Sequence, residues 1–213
     1  MPPEPDAEER PDGADHADDA VAEFVAVMRR LRAECPWKQE QTHRSLQRYL
    51  VEETYETLEA IDVGAASGEW AHLREELGDL LLQVVFHAVI AEEGGAFDLE
   101  EVARGITAKM VRRNPHVFGA AEAELDADAV NDLWQQAKAA EKGGSGPGPL
   151  PPDLPALLYA DKTLDRRERA GLRVDVDAGS PELGDRLLAL VAEARGAGVD
   201  PEQALRDAVR RLG

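Results

Sequence analysis

Residues 69–93 read EWAHLREELGDLLLQVVFHAVIAEE. Taken alone, 80–90 could be a buried strand. It lies inside a periodic pattern of about 25 residues that stops only at Gly94-Gly95, and a run of that length selects a helix. From Leu80 onward the helix is apolar on nearly every side. Such a helix is buried all round, which a protomer of about five helices would struggle to achieve alone. The stretch therefore predicts an all-α protein: a helical bundle protomer of four to five helices, built to dimerise.

The neighbouring segments agree. Upstream, residues 42–63 form a second helical pattern, with Thr42 as its N-cap and Gly64 just beyond its end. Before it, 18–34 carries Val21, Phe24, Val25, Met28 and Leu31 on one face, and Pro36 ends it. Downstream, a helix starts near Asp98 and stops before Pro115, and another covers about 126–142. Residues 143–155 read GGSGPGPLPPDLP, a linker that stiffens as prolines accumulate. Helices near 161–169, 181–195 and 201–212 then form a small helical C-terminal appendage. Residues 1–17, rich in Pro, Asp and Glu, are expected to be a disordered acidic tail.

The chain has 213 residues, 43 acidic and 24 basic side chains, and a formal net charge of −19. That balance argues against nucleic-acid and membrane-surface partners, because phosphate is repelled over much of the surface. No stretch offers about 18 uninterrupted apolar residues, so no membrane span is expected. The first twenty residues carry eight acids against one arginine and do not read as a signal peptide. Cys35 is the only cysteine, so no intrachain disulfide forms and a reducing, cytoplasmic setting is expected.

Some acids stand where acids are costly. At about 100° per residue, Glu53 falls inside the apolar arc defined by Leu46 and Leu50, with Glu56 on its edge and Glu52 bordering it. On the next helix Glu76 and Asp79 repeat the i, i+3 pattern, while Glu75 faces away. A carboxylate turned toward a core needs a partner or a cation. Four convergent carboxylates make an oxygen-only site suited to Mg²⁺, with Mn²⁺ also possible. No His follows Glu53, Glu56 or Glu76 at i+3, so the di-iron pattern is missing at these acids. The competing reading is the solvated face of two charged helices.

Lys109 and Arg113 share a helix face, and with Arg112 they suit an anionic ligand such as polyphosphate. The alternative is a basic helix end that offsets the helix dipole. Plainer readings apply to His87 (core or interface), Trp37 (helix-entry packing), His116 (capping or packing) and Cys35 (a small buried residue).

With these residues in place, the chain resembles the MazG-type nucleoside triphosphate pyrophosphohydrolases of the all-α nucleotide pyrophosphatase group. The signature is Glu52-Glu53-x-x-Glu56 followed by Glu76-x-x-Asp79. Around it stand Cys35-Pro36-Trp37, Glu40-Gln41-Thr42-His43, EELGDLLLQVVFHA from Glu75, Phe97-Asp98 and RRNPHVFG from Arg112, so the match covers about 21–142. The resemblance implies Mg²⁺-dependent hydrolysis of a nucleoside triphosphate to monophosphate and pyrophosphate by a homodimer or higher oligomer, in nucleotide-pool housecleaning. It implies Glu53, Glu56, Glu76 and Asp79 as metal ligands and Glu52 as the group that orients or deprotonates water. It further implies Lys109 and Arg113 as phosphate contacts, with Trp134 and Lys138 near the nucleotide. The rival functions are a nucleotide-binding regulatory module with little turnover and a structural helical dimer.

Two departures stand out. Lys38 follows Cys-Pro-Trp where the family usually has Asp. The C-terminal text Glu182-Leu183-Gly184-Asp185 echoes Glu76-Leu77-Gly78-Asp79, yet the partner motif is absent. Residues 156–213 thus look like a truncated second domain, and Glu182 and Asp185 are expected to be catalytically silent.

Overall fold

The protein is described from a computed structural model covering residues 14–119, 126–141 and 149–212. It is all-α: ten helices and no strand are found among the described residues. They fall into two compact units, 1–112 and 113–213. The division thus precedes the Gly/Pro-rich 143–155, of which 143–148 lie outside the described residues, as do 1–13 of the expected acidic tail.

The first unit is built on α1 (Ala14–Glu34), α2 (Pro36–Glu40), α3 (His43–Ser67), α4 (Ala71–Glu93) and α5 (Leu99–Arg113). α3 and α4 form the most extensive pairing, and α1 packs against α4. Their core joins Val25 and Met28 of α1, Leu46 of α3, and Val85, Phe86 and Val89 of α4. Phe24, Leu31, Tyr49, Leu82, Ile90 and Leu99 pack around it.

Polar contacts fix the ends of these helices. Thr42 caps α3 in a reciprocal box with Ser45: its hydroxyl accepts from the Ser45 N–H at 3.1 Å, and its own N–H donates to Ser45 Oγ at 2.9 Å. Asp98 and Glu101 do the same for α5, at 2.8 and 3.1 Å. Arg32, largely buried, donates to the carbonyls of Lys38 and Gln41 and pairs with Glu93 at 2.5 Å. It thereby ties α1, the α2 turn and the end of α4 together. Arg29 pairs with Glu92 at 2.9 Å beside it.

The structure refines several expected boundaries. α1 begins at Ala14 rather than 18. Pro36 ends α1 but also opens α2, because a first-turn proline gives up only an N–H that would be unpaired anyway. α3 runs past Gly64 to Ser67, and Gly68 closes it in the left-handed region at φ 80°. Gly64 is instead a packing position, with the Trp70 ring pressed where a Cβ would stand.

α4 is not buried on every side within one protomer. Val85, Phe86 and Val89 face the core, but Leu77, Leu81 and Val84 are 51 %, 40 % and 44 % exposed. On α3, Leu50, Leu58 and Ile61 are also exposed.

The second unit contains α6 (Pro115–Phe118), α7 (Ala127–Ala140), α8 (Ala156–Arg169), α9 (Leu183–Gly196) and α10 (Pro201–Arg210). α8, α9 and α10 pack on one another over Leu164, Ala189 and Val191. Arg195 ties α9 to α8 with bonds to Asp161 at 2.8 Å and Glu168 at 3.0 Å.

Two helical glycines give a paired stability test. Gly64→Ala drives a methyl into Trp70 and should destabilise the protein by about 1–3 kcal/mol. A Cβ on Gly78 of α4 meets nothing within 4 Å, so Gly78→Ala should stabilise by roughly 0.4–1 kcal/mol through the unfolded chain. Urea unfolding of both variants checks this; shifts of the same sign would contradict the packing described.

Candidate metal centre

α3 and α4 lie side by side, with Glu53 of α3 turned toward Glu76 and Asp79 of α4. Glu53, Glu76 and Asp79 each present one carboxylate oxygen such that all three lie within 4.8 Å of one another. Glu76 is buried, and Glu53 and Asp79 are half-buried. Thr57, also buried, donates its hydroxyl to the Glu53 carbonyl at 2.7 Å.

Burial pushes the Glu53 carboxyl above the usual carboxylate range. The charges of Asp79, Glu56 and Glu76 and a hydrogen bond with Glu56 push it the same way. The pocket therefore disfavours its own full ionisation, which a cation would reverse. A donor set of carboxylate oxygens alone suits a hard divalent cation such as Mg²⁺ or Mn²⁺, so the residues present fit the expected metal.

The structure separates the sequence candidates. It brings Glu53, Glu76 and Asp79 together and puts Glu56, more exposed, in hydrogen-bond contact with Glu53. Glu52 is exposed on the solvent side of α3. Lys109 stands half-buried on α5. Arg113 does not offer a free guanidinium: it is 8 % exposed, grips Glu141 through Nε and Nη2 at 3.1 and 2.5 Å, and stands 5.1 Å from the centre of the Trp134 ring. Lys138 lies in the last turn of α7.

Two neighbours were missed in the sequence. His72 Nδ1 lies 3.3 Å from Glu76 Oε1, a contact that the i, i+4 spacing could have suggested. Gln83 is buried on α4 one turn after Asp79, and a polar residue in an apolar run was its only signal. His87 takes the packing role read for it: its ring stacks on His43 with Nδ1 atoms 2.8 Å apart, and burial followed by the His43 charge lowers its pKa. Lys38 is turned inward, its Nζ 5.0 Å from the Phe86 ring centre. In the second unit, Asp185 accepts from the Ser180 hydroxyl at 2.8 Å and Glu182 is exposed. Neither joins a three-donor group among the described residues.

A raised Glu53 pKa favours the metal-free fold at low pH, and that contribution is lost as pH rises through the folded-state value. Glu53→Gln should therefore melt higher than the wild type at neutral pH without metal, yet lose the stabilisation added by Mg²⁺ or Mn²⁺. Thermal melts with and without metal read both effects; an unchanged metal-induced rise would remove Glu53 from the centre.

Comparison with known proteins supplies the family. Residues 41–118 match the MazG nucleotide pyrophosphohydrolase domain. An uncharacterised 26.1 kDa protein of Streptomyces cacaoi is 42 % identical, over 96 % of this chain and 84 % of that protein. The nucleoside triphosphate pyrophosphohydrolase/pyrophosphatase MazG of Thermotoga maritima is 39 % identical, over 89 % of this chain and 81 % of that protein. A crystal structure of a MazG-related protein from Thermotoga maritima aligns with a TM-score of 0.47 at 25 % identity, over 55 % of this chain and 98 % of that chain. Taken with the sequence similarity over most of both chains, these residues place the protein in the MazG nucleotide pyrophosphohydrolase family.

Proposed function

We propose that this chain hydrolyses nucleoside triphosphates to the monophosphate and pyrophosphate, using Mg²⁺ held by Glu53, Glu56, Glu76 and Asp79. The observation that carries the reading is the meeting of three carboxylate oxygens within 4.8 Å between two helices. When bound, the cation supplies charge neutralisation for the triphosphate and acidifies water.

The protein's own groups do the rest. Glu53, Glu76 and Asp79 concentrate negative charge in a partly desolvated notch that attracts a divalent cation and repels a bare triphosphate, so the nucleotide enters as its metal complex. Glu52, exposed beside Glu53, orients or deprotonates the attacking water, a role worth roughly 10²–10⁴-fold. Lys109, Arg113, Trp134 and Lys138 are the substrate contacts in this reading. A phosphate reaching Arg113 competes with Glu141 for its guanidinium.

The exposed stripes Leu77, Leu81, Val84 and Leu50, Leu58, Ile61 support a homodimer, because contiguous apolar surface of this kind marks an interface. No helix among the described residues is long and apolar enough to cross a membrane. A nucleotide-pool housecleaning role in the cytoplasm, with a triphosphate rather than nucleic acid as partner, completes the proposal.

Incubation with a mixed triphosphate set and Mg²⁺ should release pyrophosphate and monophosphate in equal amounts. Nucleotide binding without turnover would favour a regulatory module instead. Glu53→Gln should lower kcat by at least about 100-fold while the protein stays folded. Glu182→Gln should leave kcat unchanged, and a large loss there would overturn the silent reading of the C-terminal echo.

A further inference from the structure

Gln83 is 4 % exposed, and its carboxamide oxygen has no hydrogen-bond partner. Leaving such a group unpaired in a protein interior is destabilising. The surrounding text of α4 is Leu, Val and Phe, any of which would avoid that penalty. The residue calls for a partner that arrives with a ligand.

Its position says which ligand. Gln83 follows Asp79 by four residues and Glu76 by seven, so at about 100° per residue the three share one stripe of α4. Cα–Cβ bonds on a helix tilt toward its N-terminus, which leans Gln83 over the turn that carries Asp79. Of the core-facing residues, Val85 and Val89 belong to a different face, and Phe86, seven residues after Asp79, borders the stripe.

Mg²⁺ and its analogues keep several waters when bound by carboxylates, and the protons of those waters need acceptors. Another carboxylate would add to the repulsion already acting on Glu53. A neutral carbonyl oxygen accepts without adding charge. We infer that Gln83 is a positioning residue for the cation, its carboxamide oxygen accepting a hydrogen bond from the cation's hydration shell. This rests on the divalent-cation reading above.

The test is Mn²⁺ binding to the full chain without nucleotide, by calorimetry or by the paramagnetic resonance of free Mn²⁺. Gln83→Met keeps the bulk and removes the oxygen; Gln83→Glu keeps an acceptor oxygen. Gln83→Met should bind Mn²⁺ about 10-fold or more weakly while its metal-free melting temperature is equal or higher. Gln83→Glu should bind at least as tightly as wild type and melt lower without metal. Wild-type Mn²⁺ affinity in Gln83→Met would overturn the Gln83 assignment and leave the metal centre standing. Equal weakening in both variants would also overturn it, because shape rather than the oxygen would then be responsible. Absence of Mn²⁺ binding in the wild type would overturn both.

Discussion

Mutual repulsion among Glu53, Glu76 and Asp79 is the constraint that the first unit is built to withstand. Three carboxylate oxygens held within 4.8 Å, one on a buried side chain, push the two helices apart unless something holds them. What holds them is the apolar cluster of Met28, Leu46, Val85 and Phe86, all almost fully enclosed. Burying side chains of that size contributes roughly 1.5–3 kcal/mol each. The Thr42–Ser45 cap and the Arg32 contacts then fix the helix ends.

α4 shows how one helix serves three tasks. Val85, Phe86 and Val89 supply the core, Glu76 and Asp79 supply charge toward α3, and Leu77, Leu81 and Val84 remain on the surface of the protomer. Its nearly all-round apolar character is therefore not a sign of a helix enclosed by its own chain. Periodicity reports that every side is apolar without saying whose atoms cover each side.

The fold class and the acid cluster were legible because both follow from local rules. Helical period, Thr42 as a cap and the i, i+3 spacing of acids on two neighbouring helices are features of short segments, and the structure reproduces them. What was illegible depends on tertiary contacts. Gly64 reads as a terminator until Trp70 is seen to occupy the space above it, which leaves Gly68 to close the helix. Arg113 reads as a free cation until Glu141, far along the chain, is found on its guanidinium. Gln83 reads as one polar residue in an apolar run until its buried, unpaired oxygen is seen on the stripe of Glu76 and Asp79.

The central claim is that the notch between α3 and α4 binds a divalent cation. Anomalous diffraction from crystals grown with Mn²⁺ and a non-hydrolysable triphosphate tests it most directly. The account predicts a Mn²⁺ peak coordinated by oxygens of Glu53, Glu76 and Asp79. A peak elsewhere on the chain, with those three carboxylates left without metal, would contradict it.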